Sequence, residues 1–136
     1  MNSILIVGAG PVGLLMATEL SRYGLSVRLI DQAAHATDKS KALVIWSRTL
    51  ELMDRAGCTQ AFVASGLQAH AATMRHGAKT LGRATFDDIA SPYNFALMIP
   101  QRDTERLLTE HLAAVGVTIE RQVQLTAPPE TNQVLQ

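Results

Sequence analysis

The stretch Ile4-Leu5-Ile6-Val7-Gly8-Ala9-Gly10-Pro11-Val12-Gly13 decides the fold. Its four apolar residues, rich in β-branched side chains, predict a buried parallel strand. Three glycines follow at G-x-G-x-x-G spacing, and a helical pattern begins at once. Gly8 lets the chain turn out of the strand, Gly10 leaves room for a pyrophosphate against bare backbone, and Gly13 lets helix and strand approach closely. The first-turn amides of a helix have no intrahelical partner and sit at the positive end of its dipole. An anion at Gly10 to Gly13 would meet both.

Such a loop is weak evidence alone, and its flanks strengthen it. The helix carries small residues at Gly13 and Ala17, one turn apart, and Gly24 is placed to end it. Leu25 to Ile30 then predict a second strand closing on Asp31. Asp31 lies 18 positions past Gly13, near the ~20 expected of the acid that bonds a ribose hydroxyl.

Farther along, residues 32–45 lack periodicity and predict a loop carrying Lys39 and Lys41. Ser47 is placed to cap a helix over Arg48 to Ala56, with Gly57 as its terminator. Trp46 would either pack on Leu50 or line a pocket. Residues 66–99 predict antiparallel strands: Leu67 to Arg75, a turn at His76 to Lys79, a return over Thr80 to Phe86, and a strand from Tyr93 to Ile99 halted by Pro100. Asp103 or Thr104 would cap a helix whose apolar stripe is Leu107, Leu108, Leu112 and Val115, and Gly116 would end it. Val117, Ile119, Val123 and Leu125 alternate with polar residues as a half-buried strand does, while Arg121 breaks the alternation, as at a bulge. A turn at Ala127 to Asn132 and the start of a return strand at Gln133 close the sequence.

Composition narrows the function classes. The 136 residues suffice for one domain, and 12 basic and 12 acidic side chains cancel with no basic run, which argues against nucleic acid or an anionic membrane as partner. The N-terminus has neither a basic segment nor a long apolar one, so a signal peptide or membrane span is not expected. Cys58 is the one cysteine and cannot form an internal disulfide, so a cytoplasmic setting is expected. The four histidines, His35, His70, His76 and His111, show no metal-ligand spacing, and no serine–histidine–acid arrangement is visible. No residue stands out as a catalytic nucleophile.

The longer pattern Gly8-x-Gly10-x-x-Gly13-x-x-x-Ala17, closing on Gly24, resembles FAD-binding proteins of the two-dinucleotide-fold type. Lys41-Ala42 with Ser47-Arg48-Thr49-Leu50-Glu51-Leu52-Met53, and Pro100-Gln101 with Thr104-Glu105-Arg106-Leu107-Leu108, resemble segments of FAD-dependent aromatic hydroxylases of the phenol and p-hydroxybenzoate hydroxylase kind. The likeness runs from Ile4 to about Leu125. It implies an α/β fold: a Rossmann-like βαβ FAD-binding domain with an inserted antiparallel segment. Residues 1–66 and 100–136 would form the nucleotide-binding part, and 67–99 strands on the substrate side.

It further implies that Gly8, Gly10, Pro11, Val12 and Gly13 wrap the FAD pyrophosphate and that Asp31 holds the adenosine ribose. Asp31 stands where that family often has glutamate. Lys41 stands where it usually has arginine, near flavin and pyrophosphate, and would lack the bidentate fork. Gln101 and Arg106 would contact FAD from the returning helix; by pattern alone they read as a helix-entry side chain and a surface charge. The reaction implied is hydroxylation of a small phenolic or related aromatic substrate with O2, NADPH or NADH reducing the flavin. The Asp-Gly and Gly-Asp segments of that family would fall beyond this sequence, which suggests the N-terminal portion of a larger enzyme. Two other readings of the glycine loop stay open: a non-catalytic ADP- or FAD-binding module, and an NAD(P)-dependent dehydrogenase, against which the antiparallel stretch argues.

Overall fold

The computed structural model describes residues 3–36 and 44–126. Lys39, Lys41 and the turn and strand expected after Leu125 lie mostly or wholly outside them.

The opening stretch forms strand β1 (Ile4–Val7) and helix α1 (Pro11–Arg22), followed by β2 (Val27–Asp31). β1 and β2 pair in parallel from Ile4 opposite Val27 to Val7 opposite Ile30. A third parallel strand, β8 (Ile119–Arg121), joins the far side of β2, so the order is β1-β2-β8. Between them come β3 (Val44–Ile45), α2 (Ser47–Arg55), α3 (Thr59–Ser65), β4 (Leu67–Ala69), β5 (Ala71–His76), β6 (Lys79–Thr85), β7 (Ala96–Met98) and α4 (Gln101–Ala114). β7 is the middle of a small antiparallel sheet, flanked by β3 and β4. β5 and β6 form a separate hairpin turned at Gly77, with a register shift between Met74 and Arg75.

The core lies between the parallel sheet and the small antiparallel one. Leu14 and Ala17 of α1, Leu29 of β2, Leu50 of α2, Phe62 of α3, Leu97 of β7 and Leu112 of α4 are fully buried there. α1 packs against α4, which explains the small side chain at Ala17 and the leucine stripe of α4. The hairpin contributes little to this core: Met74 and Leu81 stand exposed on it.

Several element ends differ from expectation for identifiable reasons. Ser47 is the first residue of α2, and Trp46 holds the cap position with its carbonyl accepting the Thr49 and Leu50 amides. The Trp46 ring meets Phe86 edge-on at 5.6 Å. α4 starts two residues before Asp103, because Pro100 is the extended N-cap residue and its carbonyl accepts the Asp103 and Thr104 amides. Asp103 instead sits in the first turn, where its charge suits the dipole. α3 was not expected; its seven residues offer one buried aromatic, Phe62, and no repeating stripe. Thr59 fastens it, its hydroxyl donating to the Leu50 carbonyl at 2.8 Å. β8 ends at Arg121 although the alternation continues to Leu125, because Gln122 takes a left-handed φ of 59° and turns the chain.

Candidate functional site

The carboxyl ends of β1 and β2 and the start of α1 converge on one cleft. Gly8 donates to the Ile30 carbonyl at 2.8 Å, the last bond before the chain leaves β1, and its φ of 101° is the sharp turn itself. Gly13 sits so close to the loop that a Cβ there would run into the Gly8 carbonyl oxygen. Gly10 is the opposite case: a Cβ would meet nothing within 4 Å. That open side is a concavity bounded by Gly8, Gly10, Pro11, Val12 and Gly13, with the Val12 side chain exposed beside it. α1 has no side-chain cap and no acidic residue in its first turn. Its leading amides therefore face the concavity with no acceptor from the helix.

Asp31 stands at the end of β2 with its side chain largely buried. One carboxylate oxygen accepts the Ala9 amide at 2.6 Å, and the other accepts the Ala33 amide at 2.7 Å. Arg121, opposite Asp31 in the β2–β8 register, brings a guanidinium nitrogen within 3.6 Å of the first oxygen. Burial pushes the Asp31 pKa up, but the Ala33 and Ala9 amides and the Arg121 charge outweigh it and hold the group below its ordinary value.

Asp31, Ala9 and Gly10 line a cleft of about 360 Å³ with Gln101, Glu105 and Arg121. Gln101 also borders an apolar cleft of about 250 Å³ between α1, α2 and α4, so it stands where the two meet. Its amide donates to the buried Glu105 carboxylate one helical turn on, at 2.8 Å. Arg106 is placed elsewhere. It is half exposed, 2.9 Å from Glu110 and 3.8 Å from Asp103, and borders neither cleft.

The fold thus gathers Gly8, Gly10, Pro11, Val12, Gly13, Asp31 and Gln101, and leaves Arg106 on the surface. Sequence reasoning did not single out Glu105 or Arg121. Each left a signal: Glu105 is four residues from Gln101 on the same helical face, and Arg121 is the charge interrupting an apolar alternation. Among the described residues no cluster of histidine, cysteine and acidic side chains could hold a metal ion, and no helix is long and apolar enough to cross a membrane.

An open glycine cradle, an uncapped helix and a strand-end carboxylate suit an adenine dinucleotide, and comparison with known proteins decides which one. The model of a family described as FAD binding domain matches residues 1–135. This chain belongs to that FAD binding domain family. It is 40% identical over 124 residues to 6-methylpretetramide 4-monooxygenase of Streptomyces rimosus, covering 90% of this chain and 22% of that protein. It is 33% identical over 127 residues to rifampicin monooxygenase of Rhodococcus hoagii, covering 93% of this chain and 26% of that protein. The chain therefore spans about a quarter of the length of these curated relatives. The crystal structure of p-nitrophenol 4-monooxygenase from Pseudomonas putida superposes with a TM-score of 0.82 at 23% identity, over 90% of this chain and 33% of that one, which establishes the shared fold. FAD is the cofactor this family binds, and the residues around the concavity fit it: the side of Gly10 is open and the first turn of α1 carries no acidic residue of its own.

Proposed function

We propose that this chain forms the dinucleotide-binding part of a flavin-dependent monooxygenase that hydroxylates a small aromatic substrate. The observation that carries the reading is the concavity at Gly10, open above the uncapped start of α1 and set beside the Asp31 cleft. Gly8, Gly10, Pro11, Val12 and Gly13 would receive the pyrophosphate, with the first-turn amides donating to it. Asp31 would serve the adenosine ribose with whatever acceptor capacity its two backbone bonds leave free. Gln101, held by Glu105, would meet the cofactor where the polar and apolar clefts join.

Lys41, outside the described residues, would lie near the flavin and pyrophosphate, as the resemblance implies. A contact from Arg106 would require it to leave Glu110 and swing toward the cleft. Bound there, the flavin supplies the redox and oxygen chemistry, with NADPH or NADH as reductant. Residues 1–66 and 100–136 would hold the nucleotide, while 67–99 would face the substrate. The lone unpaired cysteine supports a cytoplasmic setting.

Titration of the purified chain with FAD, followed by quenching of flavin fluorescence, tests the reading. Saturable one-to-one binding that ADP competes away is expected. Absence of binding by FAD and ADP alike would end it.

A further inference from the structure

We propose that Arg121 is a positioning residue of the nucleotide site which, acting through Asp31, holds the phosphate loop in its open shape. The role deepens the FAD reading above.

The loop is fastened at one point. Ala9 lies between the left-handed Gly8 and the open Gly10, and it is 2% exposed. Its amide belongs neither to the β1–β2 ladder nor to α1, and its partner is the Asp31 carboxylate at 2.6 Å. A buried amide deprived of its acceptor is costly, so the loop shape depends on where Asp31 points and on its charge. Arg121 controls both. Its guanidinium lies 3.6 Å from the same oxygen that accepts Ala9. Arg121 is itself held in place, since past it the Val123 amide donates to the Asp31 carbonyl at 3.1 Å and the Gln122 amide to the Ala33 carbonyl at 3.4 Å. His35 and Glu105 are the other titratable groups bordering this cleft, and neither pairs with Asp31.

The same two strands carry a built-in control. Arg28 of β2 grips Glu120 of β8 through two bonds of 2.7 and 2.8 Å. Glu120 and Arg121 are consecutive and so project to opposite sides of the sheet. Arg28→Gln therefore removes a β2–β8 ion pair without touching Asp31, whereas Arg121→Gln removes the one on the cleft side.

Hydrogen exchange at the Ala9 amide, read by NMR on the ligand-free chain, tests the latch, with FAD affinity as a second readout. Arg121→Gln should speed Ala9 exchange about threefold to fivefold, the effect expected of one ion pair of this exposure. Arg121→Lys should restore most of it, because a 3.6 Å pair needs the charge more than the fork. Arg28→Gln should leave Ala9 unchanged. In an Asp31→Asn background, Arg121→Gln should add nothing, and FAD affinity should follow the same order. Unchanged Ala9 exchange in Arg121→Gln, or effects of Arg121→Gln and Asp31→Asn that simply add, would overturn the proposal. Failure of the wild-type chain to bind FAD would overturn the proposed function instead, and Ala9 exchange would still decide the role of Arg121.

Discussion

Replacing Gly10 and Gly13 by alanine, one at a time, should separate binding from folding within a single turn of backbone. At Gly10 the backbone is extended, with φ −78° and ψ −179°, and an added methyl meets nothing within 4 Å. The change narrows the unfolded ensemble, a gain of about 0.4–1 kcal/mol. Alanine is a poorer N-cap than glycine by roughly the same amount, so stability should barely move. The methyl does intrude on the concavity where a diphosphate would approach the amides. Losing the equivalent of one charge-assisted hydrogen bond costs about 1.5–3 kcal/mol, a rise in the FAD Kd of roughly ten- to a hundredfold.

Gly13→Ala reverses the pattern. Its methyl would strike the Gly8 carbonyl, which is backbone and cannot rotate away. Against immovable backbone the overpacking cost falls in the upper part of its usual range, about 2–3 kcal/mol, and exceeds the gain of about 1 kcal/mol from helix propensity. The net loss of about 1–2 kcal/mol should lower Tm by roughly 3–8 °C. Thermal denaturation and FAD titration of both variants give the four values needed. Gly10→Ala binding FAD as tightly as wild type, or melting several degrees low while Gly13→Ala does not, would refute the division of labour.

Two further outcomes follow from ionisation. Asp31 has a folded-state pKa below its unfolded one, so the stability it contributes is present above about pH 4 and is lost as pH falls through the folded value. Urea melts from pH 7 downward should show wild type losing stability faster than Asp31→Asn; parallel curves would contradict the bonds assigned to the carboxylate. Cys58 is buried with its thiol donating to the Met53 carbonyl, and burial raises its pKa to about 11. It should resist a thiol reagent at pH 8 in the folded chain and react promptly in urea, and fast labelling of native protein would show the burial to be wrong.

The parallel half of the fold was readable because its signals are local. Strand, glycine loop, helix and terminal acid occupy Ile4 to Asp31, and the structure gives a backbone or steric reason for the glycines at 8, 13 and 24. The hairpin turn at Gly77 and the stripe of α4 were readable on the same grounds. What stayed hidden depends on contacts between distant segments. α3 is helical because Thr59 and Phe62 dock on α2 and the core, and seven residues are too few to show a period. Arg121 belongs to the cleft only because β8 lies beside β2, a pairing no local pattern announces. The pattern-only reading of Arg106 as a surface charge describes its position here, while the same kind of reading for Gln101 overlooked its place between two clefts.

The β2–β8 pairing also orders events during synthesis. Leu29 meets Ile119 only after the 89 residues between them have been made, and closing so long a loop is slow compared with forming a hairpin such as β5–β6. A nascent chain that has just emerged past Asp31 carries every glycine of the cradle, yet neither Gln101 nor Arg121 has been translated. The proposed seat of the nucleotide thus draws on glycines at 8–13 and on the far-off side chains of Gln101 and Arg121, and it takes its shape only once β2 and β8 have paired.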